Sequence, residues 1–200
     1  MARAGRVSSL AQLAVKLFAP GVPDVYQGTE LWDLSLVDPD NRRPVDFDRR
    51  RRLLEELSGA LGQGQEARAA LARDLSAPEA LADGRAKLLL LRAGLHARAS
   101  SRALFLEGEY RALAAEGPLA AHLFAFARVH AGKAALCAVP RLVLGLLERG
   151  EGRIRWEGAL PLPDLPRRWR DVVTGAIHEG DALPLARLHA DFPVSLLLSE

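Results

Sequence analysis

Cysteine occurs once, at Cys137, so no disulfide can close within this chain. A reducing compartment is the simplest setting for such usage, and a cytoplasmic location is expected. No apolar run approaches the ~20 residues of a membrane span, so no membrane partner is expected. The opening Met1–Arg6 also lacks the apolar stretch of a secretory leader. Neither charge sign dominates, since the formal net charge is only +2. The sole basic run, Arg49–Arg52, has no interleaved aromatics and reads as a solvated helix face rather than a nucleic-acid patch. Glu55 and Glu56 follow Arg51 and Arg52 at helical ion-pair spacing. No His-x-x-x-His or Cys/His spacing marks a metal site, and no glycine-rich phosphate loop is present. The five histidines, His96, His122, His130, His178 and His189, read as core or surface residues rather than ligands. No metal and no cofactor is expected.

What is present suffices for a core. The apolar fraction of 49% over 200 residues suits one large domain or two small ones. The first half has helical periodicity. Leu10, Leu13, Ala14 and Leu17 share a face that Pro20-Gly21 ends, with either a capping box of Ser9 and Gln12 or a start nearer Gly5. Asp48 is a plausible N-cap for a second helix carrying Leu53, Leu54, Leu57 and Leu61 on one face. A short helix is expected over Ala67–Leu75 and a new start at Ser76–Glu79. A longer helix over Gly84–Ala97 should bury Leu88, Leu91 and Leu95, and its Leu88–Leu91 run implies packing on more than one side. Between the first two helices, Val22–Tyr26 reads as a short strand and residues 27–47 as a long polar loop.

From about residue 100 the texture becomes β-like. Strands are expected at Ala103–Leu106, Leu123–Val129, Ala134–Val139, Arg153–Trp156, Asp171–Val173 and Val194–Leu198, with a hairpin turn at His130–Lys133. Val139–Leu147 reads equally as strand or helix. Trp156 and Trp169 serve either as core or as carbohydrate platforms.

The richest chemistry lies in Pro20-Gly21-Val22-Pro23-Asp24-Val25-Tyr26-Gln27-Gly28-Thr29-Glu30-Leu31-Trp32-Asp33 and in Asp38-Pro39-Asp40-Asn41-Arg42-Arg43-Pro44-Val45-Asp46. Carboxylates, amides, guanidinium groups and aromatics in one loop suit a sugar. Aromatic faces cover the C–H faces of a pyranose, and carboxylates and Arg forks bind its hydroxyl pairs. The candidate binding residues are Tyr26, Gln27, Glu30, Trp32, Asp40, Asn41, Arg42 and Arg43, with Asp38 and Asp46 nearby. Each has a plainer alternative. Tyr26 is either platform or core, Trp32 either platform or loop anchor, and Arg42 and Arg43 either ligand forks or internal partners of loop carboxylates. Gly21 and Gly28 read as sources of backbone freedom.

The same two runs resemble the end of the catalytic barrel in maltooligosyltrehalose synthases, a family within the α-amylase superfamily (glycoside hydrolase family 13). The resemblance is densest over Ser8–Leu57. It continues more weakly through Glu107-Gly108-Glu109-Tyr110 and Ala125-Phe126-Ala127-Arg128. It implies an α+β fold: the last β/α unit of a TIM-type barrel plus flanking helices over residues 1–99, then a mostly antiparallel, β-sandwich-like C-terminal domain over 100–200. It also implies a C-terminal portion of an enzyme that converts the reducing-end α-1,4 linkage of maltooligosaccharides to α,α-1,1. Retaining chemistry needs a carboxylate nucleophile and a carboxylic acid/base. In the superfamily these sit on earlier barrel strands, so no catalytic residue is assigned here and the isolated chain is expected to be inactive. The implied partners are a maltooligosaccharide and the missing barrel portion, or self-association. Two other readings stay open: a non-catalytic carbohydrate-binding or structural module, and the tail of another α-amylase-family enzyme.

Overall fold

Apolar residues spaced by three and four put Val7, Leu10, Leu13, Ala14 and Leu17 on one buried stripe of helix α1 (Ala2–Phe18). The computed structural model describes residues 2–150 and 154–200. Because α1 already runs from Ala2, Ser9 and Gln12 lie mid-helix and form no capping box. Helix α2 (Phe47–Leu61) is capped by Asp46, whose Oδ1 accepts from Arg49 N at 2.8 Å, two residues before the expected Asp48. Of its four leucines only Leu57 is fully buried. Helix α3 (Gln65–Ser76) follows. The expected helix start at Ser76–Glu79 amounts to a 3₁₀ turn at Ala80–Ala82.

Helix α4 (Arg85–Ser100) buries all of Leu88–Leu91, as its apolar run implies. It crosses α1 so closely that a Cβ on Gly94 would stand 2.6 Å from Leu17 Cδ1. That approach turns the small Ala93, Gly94 and Ala97 face toward α1. Leu95, expected inside, is left 42% exposed. The expected strand at Ala103–Leu106 is instead helix α5 (Arg102–Glu107), whose Phe105 meets Phe18 edge-on with ring centroids 5.0 Å apart. A four-residue apolar run carries no period, and here the contact with α1 selects the helix.

The rest of the chain builds sheet. Strands β1 (Glu109–Leu113), β2 (Leu123–His130), β3 (Lys133–Pro140), β5 (Arg168–Asp171), β6 (Ile177–Glu179) and β8 (Ser195–Ser199) join in the order β1-β2-β3-β8-β5-β6, with every pair antiparallel. Strands β4 (Ala159–Pro161) and β7 (Ala182–Pro184) pair separately. The β2–β3 turn is the one expected: His130 pairs with Lys133, and Ala131 and Gly132 both have positive φ. The ambiguous Val139–Leu147 stretch splits into the end of β3 and helix α6 (Leu144–Arg149). The strand expected at Asp171–Val173 ends at Asp171, where a turn begins. Arg153 lies outside the described residues, and Ile154–Trp156 form no strand. A last short helix, α7 (Leu185–Leu188), precedes β8.

The large sheet is buried on both faces. Along β3, Ala135, Cys137 and Val139 join the core formed with α1 and α4. Ala134, Leu136 and Ala138 face a second core with Leu160 of β4, Leu183 of β7 and Trp169. Period-two alternation therefore feeds two cores from one strand. Val22–Tyr26, the expected strand, runs without a ladder, and Val22 is 87% exposed. A strand needs a neighbour to pair with, and no described strand lies beside it. The fold is thus mixed helix and sheet with mostly antiparallel pairing. No helix among the described residues is long and apolar enough to cross a membrane.

Candidate functional site

The loop between α1 and α2 is shaped by polar clamps. At its entry, Arg98 of α4 donates to the carbonyls of Leu17 (2.8 Å) and Gly21 (2.7 Å), and Lys16 Nζ donates to the Asp24 carbonyl at 2.8 Å. Positive φ at Gly21 and Gly28 accounts for glycine at both bends. Thr29 Oγ1 donates to the Tyr26 carbonyl at 2.6 Å, closing a tight turn.

The main fastener is Arg50, in the first turns of α2. Its Nε donates to Glu30 Oε2 at 2.8 Å, its Nη1 to the Asp46 carbonyl at 3.1 Å, and its Nη2 to the Gly28 carbonyl. One guanidinium therefore ties the start of the loop to its end. Sequence reading assigned Arg50 to a solvated run and missed this role. A signal was there: Arg50, Leu53, Leu54 and Leu57 share one helical stripe, which puts Arg50 inward. Of the anticipated helix-spaced pairs, Arg51 turns instead to Asp48, at 2.7 Å.

A second fastener is Trp32. Its Nε1 donates to the Leu81 carbonyl at 2.6 Å, and Lys87 Nζ lies 5.5 Å from the ring centroid. Lys87 also donates to the Leu31 carbonyl at 3.1 Å, and burial lowers its pKa. Trp32 is therefore a loop anchor, and Lys87 is a positioning residue that sequence reading did not find.

The loop tip is a compact ionic knot. Arg42 Nη2 donates to Asp38 Oδ2 at 2.7 Å, Arg43 pairs with Asp40, and Asp40 Oδ2 accepts from Leu36 N at 2.8 Å. Asp33 accepts from Ser35 N at 2.9 Å, and hydrogen bonds from Ser35 hold its carboxyl below the usual range. Asn41 is half-buried with an unpartnered Oδ1.

The eight candidate residues therefore fall into groups. Glu30 and Trp32 are engaged internally. Asp40, Asn41, Arg42 and Arg43 share the 3₁₀ turn at Asp40–Arg42 or adjoin it. Gln27 is exposed, and Tyr26, 48% exposed, lines a cleft of about 420 Å³ with Ser9, Lys16 and Lys87. Around these polar groups the loop exposes Val22, Leu34, Leu36 and Val37, and the start of α2 exposes Phe47. Among the described residues no cluster of three or more His, Cys, Asp or Glu side chains forms a metal-binding set. Trp169 is fully buried core, whereas Trp156 is half-buried and stacks on His189.

No family profile matches the chain. A putative maltooligosyl trehalose synthase of Mycobacterium tuberculosis is 40% identical over 192 residues, which is 94% of this chain and 20% of that protein. The structure of maltooligosyltrehalose synthase from Arthrobacter ramosus matches the whole chain with a TM-score of 0.79 at 37% identity, over 23% of its own length. An Anoxybacillus α-amylase shares the fold alone, with a TM-score of 0.54 at 16% identity. The helix–loop–helix and antiparallel sheet are thus an arrangement this chain shares with solved maltooligosyltrehalose synthase and α-amylase structures. More narrowly, the chain is homologous to a part of maltooligosyltrehalose synthase and spans about a fifth of the length of these relatives.

Proposed function

We propose that this chain is the C-terminal portion of a maltooligosyltrehalose synthase. Residues 1–99 supply the last β/α unit of its catalytic barrel with flanking helices, and residues 100–200 its sandwich-like β domain. The whole enzyme converts the reducing-end α-1,4 linkage of a maltooligosaccharide to α,α-1,1 in the cytoplasm. In that reaction a glucose hydroxyl, not water, captures the glycosyl intermediate. The chain's task is to hold the rim of the pocket: Tyr26, Gln27 and the Asp40–Arg43 turn face the glucan, while Glu30 and Trp32 keep the loop rigid. The acid/base and nucleophile come from other parts of the barrel.

The observation that carries this reading is the loop's construction. Buried clamps from Arg50 and Trp32 hold it inside, while its apolar residues Val22, Leu34, Leu36 and Val37, with Phe47 at the start of α2, stand in solvent. Such a patch marks a contact surface. Its occupant in this reading is the remaining barrel, whose neighbouring strand would also pair the open backbone of Val22–Tyr26. A second copy of the chain is the competing occupant, and sedimentation of the purified protein separates the two.

The test uses an intact homologue. Replacing its counterparts of Asp40 and Arg42 with Ala should lower transglycosylation relative to hydrolysis, because a loosened rim admits water. Unchanged kinetics and product ratio in folded variants would refute the rim assignment. The 200-residue chain alone should form no trehalose-type product from maltopentaose.

A further inference from the structure

Behind the loop's Trp32 anchor lies a second cleft. The Leu81 carbonyl receives the Trp32 indole, and the Leu81 side chain helps line a cavity of about 370 Å³. Val7 and Leu147 make its floor apolar. One wall is the Trp156–His189 pair, with ring centroids 4.7 Å apart and an interplanar angle of 30°. The rim carries Arg73, whose Nη1 lies 3.1 Å from Asp191 Oδ1. Segments distant in sequence thus meet here: α1, the end of α3, the 3₁₀ turn at Ala80–Ala82, α6, Trp156 and the corner before β8.

His189 adds a neutral ring to this cleft beside the indole of Trp156 and the guanidinium groups of Arg3 and Arg73. Both its ring nitrogens are shielded from solvent, and neither makes a hydrogen bond of ordinary geometry. The Pro193 carbonyl beside the ring favours its proton, but burial outweighs this and keeps the imidazole neutral. A neutral imidazole offers one donor and one acceptor. An anion could satisfy only the donor. A hydroxyl group both donates and accepts, so one that reaches the ring edge can pair with whichever nitrogen it meets. The indole face suits a ring's C–H groups, and an Arg–Asp pair presents donors and acceptors side by side. The volume lies at the small end of ligand pockets, enough for one or two sugar rings.

We propose that this cleft is a second carbohydrate site, taking one or two glucosyl residues of an α-glucan against the Trp156–His189 wall. The preference for a hydroxyl-rich ring comes from the cleft itself. Its assignment as glucosyl rests on the function proposed above.

The whole 200-residue protein can be titrated with maltose while its three indole signals, from Trp32, Trp156 and Trp169, and the His189 imidazole are followed by NMR. Maltose should shift the Trp156 and His189 signals, and Trp156→Ala should weaken that binding about tenfold, the loss of roughly one anchoring contact. Because Trp156→Ala could also loosen the fold, Arg73→Ala at the half-exposed rim is the second variant. It should weaken binding with the amide spectrum otherwise intact. The proposal is overturned if Trp156 and His189 stay silent to about 50 mM maltose, far above the ~1 mM expected of a modest site. It also fails if inorganic phosphate moves them and maltose does not, or if binding survives both variants. Shifts confined to Trp32 would place maltose at the loop and reject the second site. Shifts confined to Trp156 and His189 would support the second site, and the rim assignment would still be decided by the product ratio of the intact homologue.

Discussion

Strand β3 and the Gly21–Asp46 loop are held by opposite means. The strand is sealed on both faces by apolar side chains from two cores. The loop has few such contacts and is held by Arg50, Trp32 and the Asp–Arg knot, with large apolar side chains turned outward. Burial is non-directional and tolerant, whereas hydrogen-bonded clamps depend on individual atoms. The sheet therefore carries the chain's stability, and the loop's shape rests on a few directional bonds.

The sharpest way to break this contrast is in the sheet. Leu136 is fully buried between β3 and the β4–β7 pair. Leu136→Ala should cost about 2–5 kcal/mol, read from the denaturant midpoint at unchanged slope. A loss below about 1 kcal/mol would mean that the second core is not a main source of stability.

Acid stability tests two buried polar groups in the same β region. Burial lowers the His189 pKa from 6.5 to about 3, so acidification through that window favours the unfolded state, which takes up the proton more readily. Asp171 is the reverse case. Burial raises its pKa from 3.8 to about 6, despite hydrogen bonds from Val173 N (2.7 Å) and Thr174 N (2.8 Å). The folded state then holds the proton more tightly, and acidification from about 6 to 3.8 stabilises it. The two effects oppose one another, each on the order of a few kcal/mol at most. Asp171→Asn should steepen the loss of stability on acidification, and His189→Gln should flatten it. Parallel profiles for wild type and both variants would show that neither group titrates differently on folding.

A smaller global effect is expected at Arg50. Arg50→Ala leaves the half-buried Glu30 carboxylate and the Gly28 carbonyl without their partner, a cost of about 1–3 kcal/mol. That cost falls within the loop, so hydrogen exchange should accelerate over residues 28–46 while the sheet amides stay protected. Equal acceleration in both regions would erase the distinction between them.

Sequence legibility divides along the same line. Strands β2, β3 and β8 and helices α1, α2 and α4 were readable because each is long enough to repeat its period. The three-residue strands β4, β6 and β7 were not, since so short a segment has no period and is selected by its partner. Ala103–Leu106 failed for the same reason. In the loop, residue types alone pointed to a sugar-facing surface and to Trp32 as either anchor or platform. They did not point to Arg50 or Lys87, because a clamp is defined by what it reaches across space. Nor could they foresee that Val22–Tyr26 would lack a ladder, which depends on a neighbouring strand.

The smallest stability change should come from the loop tip, and it is the most diagnostic of function. Arg42 and Asp38 are 70% and 55% exposed in their side chains, so water competes for both charges. Arg42→Ala should therefore move stability by less than about 0.5 kcal/mol, within the usual range for an exposed pair. A structural role alone predicts that nothing else changes. A rim role predicts that the counterpart substitution in an intact homologue shifts the balance of trehalose-type product to free glucose at unaltered melting temperature. Stability and product ratio moving together would make the tip a brace, and the product ratio moving alone would make it part of the pocket.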